Sequence, residues 1–204
     1  MQFVVVWDCE FLTDVGAPQR FWCGPEDPDP ILVQLGAVKL GLEGDFPVFE
    51  RFEKIVRPIA RDGTPSKVSD LFSQLTGLTA ERIAAEGGAL EPALQAFAKF
   101  GKDSVFWAWG KDEFNAVAIS CYVAGISPPI PATRFNNAPR LTQVAGVPLD
   151  EISKIRSNTI LDYFNIQAPE VRAHDAVDDA TCVALALQHL LRQGRLKPDD
   201  FALA

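Results

Sequence analysis

The feature that most constrains the fold is a short apolar run that leads into two acidic residues. Residues 3–7 read Phe-Val-Val-Val-Trp, and Asp8 and Glu10 follow directly. Such a run of β-branched and aromatic residues predicts a buried strand. Because side chains two positions apart share one face of a strand, we expect both carboxylates on the same face. The fold must therefore accommodate two like charges beside its core.

Two carboxylates held this close indicate a cation site. At 4 Å and an effective dielectric constant of 20, their repulsion reaches ~4 kcal/mol, which a bound cation would relieve. Oxygen ligands of this kind suit Mg²⁺ or Mn²⁺. The alternative is that Asp8 and Glu10 only end a strand and cap the segment that follows.

A second acidic cluster lies near the end of the chain, where residues 174–179 read His-Asp-Ala-Val-Asp-Asp. The next residues, to position 191, carry apolar side chains at helical spacing, which predicts a helix with Asp179 in its first turns. His174 would then stand close enough to take a proton from an attacking water. The alternative is a histidine bonded to the backbone at a helix start. We interpret Asp175 as the N-cap and Asp178 as a partner of the helix dipole.

The acidic motifs resemble those of a known family. Asp8-x-Glu10, a central Asp112 and His174-x-Ala176-x-x-Asp179 are similar to the three motifs of the DEDDh (DnaQ-like) 3′-to-5′ exonucleases, whose fold is ribonuclease-H-like. Segments 31–38, 56–58 and 75–79 resemble the branch that trims RNA ends. The resemblance implies that Asp8, Glu10, Asp112 and Asp179 are metal ligands for two Mg²⁺ or Mn²⁺ ions and that His174 is the base.

Three positions depart from the usual family pattern. Gln34 stands where many members have Glu, and Phe11 stands where many have Thr. The middle motif has one residue fewer than usual between Gly110 and Asp112, and the common spacing would select Glu113. A buried helical stripe behind Asp112 favours Asp112, with Glu113 as the alternative.

Two residues after the first motif are predicted to bind substrate. Phe11 could stack on the terminal base, a contact worth ~1–3 kcal/mol in single-strand binders, or it could belong to the core. Leu12 and its neighbours could contact a 2′-hydroxyl through backbone groups.

The remaining pattern predicts one α/β domain over residues 1–204. The expected sheet is ribonuclease-H-like and mixed, with three antiparallel strands plus short parallel strands, flanked by helices. Strands are predicted at 2–7, 31–40, 47–57, 105–109 and 134–136. Helices are predicted at 67–75, 79–85, 90–101, from 112 onward, 148–164 and 175–193. The Pro-rich segment 13–30 is predicted to be a long functional or mobile loop beside the site.

Charge and cysteine content limit the possible partners. The net charge is −8, which excludes the overall basic footprint of strong duplex binders. Five basic residues between 51 and 67 could contact phosphates or could form a solvated face. The four cysteines form no C-x-x-C pair, and no apolar stretch is long enough to span a membrane. We expect a cytoplasmic protein, with a homodimer as one option.

These observations together predict a metal-dependent exonuclease that removes nucleoside 5′-monophosphates from the 3′ end of single-stranded nucleic acid, with RNA somewhat preferred over DNA. Two alternatives stay open. One is a catalytically weak or inactive nucleic-acid-binding relative, and the other is a metal-dependent phosphohydrolase that acts on small nucleotides.

Overall fold

The computed structural model describes residues 2–167 and 171–202. Its centre is a five-stranded mixed sheet with the order β3-β2-β1-β4-β5. β1 pairs antiparallel with β2, and β2 pairs antiparallel with β3. β4 and β5 continue the sheet as short parallel strands on the other side of β1. The predicted mixed α/β sheet is therefore confirmed.

The strands of the sheet are β1 (Phe3–Phe11), β2 (Leu32–Gly41), β3 (Val48–Ile55), β4 (Phe106–Ala108) and β5 (Phe135–Asn137). The α-helices in the described ranges are α1 (Asp70–Thr76), α2 (Ala80–Glu86), α3 (Leu90–Gly101), α4 (Asp112–Ala124), α5 (Pro139–Val144), α6 (Leu149–Ile152), α7 (Ile160–Tyr163) and α8 (Ala176–Arg192).

The two faces of the sheet are covered by different helices. Val4 and Val6 of β1 pack in one core cluster with apolar residues of α8. Val5, Trp7 and Cys9, on the opposite face, pack with residues of α3 and α4. Alternation along the strand therefore turns Asp8 and Glu10 toward α8.

Two element predictions need correction. The single helix predicted over 148–164 is wrong, because that segment contains the short helices α6 and α7 separated by a 3₁₀ turn at Ser157–Thr159. Helix α5 was not predicted, although Pro139 stands in its first turn. Short helices of four to six residues owe their formation to tertiary packing and not to a strong local pattern.

Helix α8 approaches β2 at a point where only glycine fits. A Cβ on Gly36 would lie 2.2 Å from the backbone nitrogen of Val177 in the first turn of α8. Gly36 is also the register partner of Asp8. The missing side chain therefore lets the start of α8 reach the part of the sheet that carries the first acidic motif.

A buried glutamine fixes the same helix start. The side-chain oxygen of Gln34 accepts a hydrogen bond from the backbone N–H of Ala176 at 3.1 Å, and its nitrogen donates to Glu53 at 2.9 Å. Asp175 caps the helix by accepting from the backbone N–H groups of Val177 and Asp178, which confirms the predicted N-cap.

Each helix in the described ranges is too short or too polar to span a membrane.

The close approach at Gly36 generates a stability prediction. Gly36→Ala should lower the free energy of unfolding by ~1–3 kcal/mol, because the added methyl group must displace backbone atoms of α8. Thermal or urea unfolding measures the change. Gly88→Ala is the matched control, since the nearest atom to a Cβ there lies 4.0 Å away. Equal unfolding midpoints for the two variants would contradict this account of α8 docking.

Candidate active site

Acidic side chains from three elements converge at the C-terminal end of β1, the central strand of the sheet. β1 supplies Asp8 and Glu10, the first turn of α4 supplies Glu113, and the first turn of α8 supplies Asp179. Asp179 is 4% exposed and Glu113 is 9% exposed, so both are buried acids. Charged groups are rarely buried to this degree without a partner of opposite charge.

Burial and mutual repulsion hold these acids toward their protonated forms. Desolvation raises the pKa of Asp8 well above its usual range, and the charges of Glu113, Glu10 and Asp179 raise it further. Desolvation, followed by repulsion from Asp179, raises the pKa of Glu10 to about 8. The pKa of Asp179 rises to about 7 for the same primary reason.

Glu113 is the residue of α4 whose carboxyl group lies near Asp8. Burial raises the pKa of Glu113, and the charge of Asp112 raises it further. Its Oε2 atom is buried and finds no hydrogen-bond partner among the described residues. Gly110 leaves room for this side chain, because a Cβ there would lie 3.1 Å from Oε2.

Asp112 lies away from the four acids. It is exposed and lines a separate cavity with Phe11 and Trp22. The periodicity of α4 explains the difference, because its buried positions 113, 116, 117, 120 and 121 form one stripe that begins at Glu113. The stripe predicted behind Asp112 is therefore displaced by one residue, and it lies behind Glu113. The spacing from Gly110 was the signal that selected Glu113.

His174 stands at the solvent side of the cluster. It is exposed and adopts a left-handed backbone conformation with φ +60°. Its backbone N–H donates to Oδ2 of Asp179 at 3.2 Å. One ligand atom each from Glu10, His174 and Asp179 lie within 4.8 Å of one another. The histidine is therefore next to the acids and accessible to a solvent-borne substrate.

The two predicted substrate contacts have different surroundings. Phe11 is partly buried and lies edge-on to Trp22, with ring centroids 5.4 Å apart. These rings line a cavity of about 200 Å³ whose other wall contains Asp112 and Asn115. Leu12, in contrast, is 2% exposed and packs in the core, and its N–H donates to the carbonyl of Ile31. Leu12 therefore has neither a side chain nor an N–H available for substrate.

The loop over residues 13–30 is folded beside the site. A salt bridge of 2.5 Å joins Arg20 to Asp27. Phe21, at the surface of the loop, is 81% exposed and lines the aromatic cavity. The loop thus places the aromatic side chains of Phe21 and Trp22 beside the residues of α4 that line the same cavity.

Most of the predicted basic stretch is engaged within the protein. Arg51 pairs with Asp178, and Arg61 pairs with Asp29. Arg57 donates to the backbone carbonyls of residues 84 and 87. These contacts favour a structural role for the three arginines over a continuous phosphate-binding track.

The donor set fits a divalent cation of the hard class. All four acids offer carboxylate oxygens, which Mg²⁺ and Mn²⁺ prefer. The unpartnered Oε2 of Glu113 is the kind of buried atom that a cation would satisfy. A bound cation would also offset the repulsion that raises the pKa values of Asp8 and Glu10.

Comparison with known proteins identifies the fold. The nuclease domain of 3′hExo, a DEDDh family member solved with bound rAMP, superposes with a TM-score of 0.77 at 17% identity, over 94% of this chain and 92% of that one. The chain shares the fold of this nuclease domain. E. coli exonuclease I with a dA16 oligonucleotide gives a TM-score of 0.60 at 17% identity, over 96% of this chain and 42% of that one. Exonuclease I from Methylocaldum szegediense gives 0.61 at 19% identity, over 95% and 41%.

The chain thus spans about two fifths of the length of the two exonuclease I structures. No protein-family model and no curated protein matches the sequence.

The raised pKa values generate a pH prediction for the protein in EDTA. Glu10 has a reference pKa of 4.5 and a folded pKa of about 8, so its contribution to stability is full below pH 4.5 and is lost as the pH rises through 8. The melting temperature of the wild type should therefore fall relative to that of Glu10→Gln over this window. Millimolar Mn²⁺ should raise the wild-type value, because cations bind the folded acids. Parallel pH curves and no response to Mn²⁺ would contradict a preformed acidic site.

Proposed function

We propose that this protein is a metal-dependent 3′-to-5′ exonuclease of the DEDDh type, acting as a single domain. It would remove nucleoside 5′-monophosphates from the 3′ end of single-stranded nucleic acid. The observation that carries this proposal is the convergence of four carboxylates, two buried and two partly buried, from β1, α4 and α8, beside an accessible histidine. This arrangement fits phosphodiester hydrolysis, in which negative charge develops on the attacking and leaving oxygens.

In this proposal the metal, Mg²⁺ or Mn²⁺, is held by Asp8, Glu10, Glu113 and Asp179. Glu113 takes the place of Asp112, the ligand predicted from the sequence. Two bound ions supply the positive charge that stabilises the attacking and leaving oxygens. E. coli exonuclease I, which shares the fold, has been solved in a zinc-bound form, and this supports metal binding by the fold. Gln34 is a positioning residue, since it fixes the backbone from which Asp179 projects.

His174 is proposed as the general base. A ring nitrogen of this exposed side chain accepts the proton of the attacking water. Its position is set by the backbone hydrogen bond to Asp179 and by the left-handed conformation at residue 174. The ring itself stays free to move toward the substrate.

The aromatic cavity beside Glu113 is proposed to hold the terminal base. Phe11 and Trp22 offer ring surfaces on which any base can stack. RNA is proposed as the somewhat preferred substrate, because 3′hExo, solved with bound rAMP, gives a TM-score of 0.77. Leu12 is not part of this proposal, since it is buried in the core.

A digestion panel tests the function. Single-stranded RNA and DNA oligonucleotides, each labelled at the 5′ or the 3′ end, are incubated with the protein and Mg²⁺, and Asp8→Asn is the inactive control. We expect stepwise shortening from the 3′ end, release of nucleoside 5′-monophosphates, and no reaction in EDTA. Binding without cleavage would favour the inactive relative, and cleavage of small nucleotides alone would favour the phosphohydrolase.

The middle acid gives the sharpest prediction for this site. Glu113→Gln should lower the cleavage rate by a factor of about 10² or more, because it removes a charged group from the metal-binding set. Asp112→Asn is the matched control and should retain a rate within about tenfold of the wild type. The same labelled-oligonucleotide assay measures both. A severe loss of cleavage rate in Asp112→Asn, with an active Glu113→Gln, would instead make Asp112 the metal ligand.

The base assignment has its own matched pair of histidines. His174→Ala should lose a factor on the order of 10² to 10⁴ in cleavage rate, as expected for a missing general base. It should keep Mn²⁺-dependent thermal stabilisation, because the four carboxylates remain. His189 lies near the other end of α8, and His189→Ala should leave the rate unchanged. Equal rates for the two variants would remove His174 from the mechanism.

A further inference from the structure

A second cavity lies beside the start of α4, where Asn115 lines both this cavity and the aromatic cavity described above. Its volume is about 320 Å³, and its wall includes Trp7, Lys111, Phe135, Asn136 and Arg140. That volume lies within the range of small-molecule sites. Among the described residues, none of the four acids of the candidate active site lines it. The proposed nuclease mechanism does not use it.

The polar groups around this cavity lack partners. The indole nitrogen of Trp7, a residue only 1% exposed, makes no hydrogen bond in the described part of the chain. The same holds for Nδ2 of Asn136 and Oδ1 of Asn137. Because these three atoms are closed off from solvent, a ligand in the open cavity would meet the exposed side chains of its wall instead.

The charged and aromatic side chains define the chemistry of that ligand. Lys111 and Arg140 are exposed and form no salt bridge or hydrogen bond within residues 2–167 and 171–202. Both can contact an anion, and arginine in particular suits phosphate. Phe114 and Phe135, with ring centroids 5.5 Å apart, offer aromatic surface to a planar group.

The amide side chains add a means of recognising a base. Asn115, Asn136 and Asn137 all line the cavity and carry both donors and acceptors. Paired donor and acceptor groups of this kind match the edge of a nucleobase. A planar ring with polar edges joined to a phosphate is a nucleotide.

We infer that this cavity is a second binding site, specific for a nucleoside 5′-monophosphate. The phosphate contacts Lys111 and Arg140, and the base lies against Phe114 with its edge toward the asparagines. This inference goes beyond the proposed nuclease activity and does not depend on it. Gly110, which lines the cavity, also borders the carboxylate of Glu113, so a bound nucleotide would contact the segment that positions the middle acid.

Isothermal titration calorimetry in EDTA tests the site without metal-dependent binding at the acids. AMP, adenosine and inorganic phosphate are titrated into the wild type, Arg140→Ala, Phe114→Ala and Asp8→Asn. Lys154→Ala, which removes an exposed lysine outside the cavity, is the matched control. Melting curves confirm that each variant is folded.

We expect saturable AMP binding that exceeds the binding of adenosine and of phosphate. Arg140→Ala should weaken AMP binding by about tenfold or more, as for loss of a charge-assisted hydrogen bond. Phe114→Ala should weaken AMP binding and leave phosphate binding unchanged, whereas Asp8→Asn and Lys154→Ala should match the wild type. Absence of saturable AMP binding, unchanged binding in Arg140→Ala, or loss in Asp8→Asn would overturn the inference. AMP binding by a protein without nuclease activity would refute the proposed function and leave this site standing.

Discussion

The docking of α8 on β2 is the contact on which the rest of the site depends. At Gly36 the backbone of α8 occupies the space of a side chain, and at Gln34 a buried amide holds the first N–H of the helix. These two residues bring Asp179, from the end of the chain, to Asp8 and Glu10 near its beginning. The sheet sets the position of Asp8 and Glu10. The absence of a side chain at Gly36 lets α8 approach closely enough to place Asp179 beside them.

The fold stabilises a cluster of like charges that opposes it. Apolar packing of β1 between α8 and the α3–α4 layer holds four acids together at the C-terminal end of β1, with Glu113 and Asp179 buried. Burial is the largest cause of the raised pKa values at Asp8, Glu10, Glu113 and Asp179, and repulsion from neighbouring acids adds to it. A preformed acidic site of this kind holds its ligand atoms in place before any cation or substrate arrives.

Much of this structure could be predicted from the sequence because its signals are local. The strand predicted at 2–7, observed as Phe3–Phe11, follows from a run of β-branched and aromatic residues. The helix capped by Asp175 follows from helical spacing and a capping residue. The choice between Asp112 and Glu113 could not be settled in the same way, since it depends on how α4 is rotated against the sheet. The role of Gln34 and the burial of Leu12 are likewise set by tertiary contacts that no local pattern encodes.

The most direct test of the account is a crystal structure of the protein grown with Mn²⁺, with anomalous scattering used to locate the metal. We expect Mn²⁺ at the C-terminal end of β1, bound by Asp8, Glu10, Glu113 and Asp179. The metal–oxygen distances should be about 2.0–2.6 Å, as for hard cations. Asp112 should lie outside the coordination shell, against the aromatic cavity. An anomalous peak on Asp112 with Glu113 unbound, or no peak among the four acids, would contradict it.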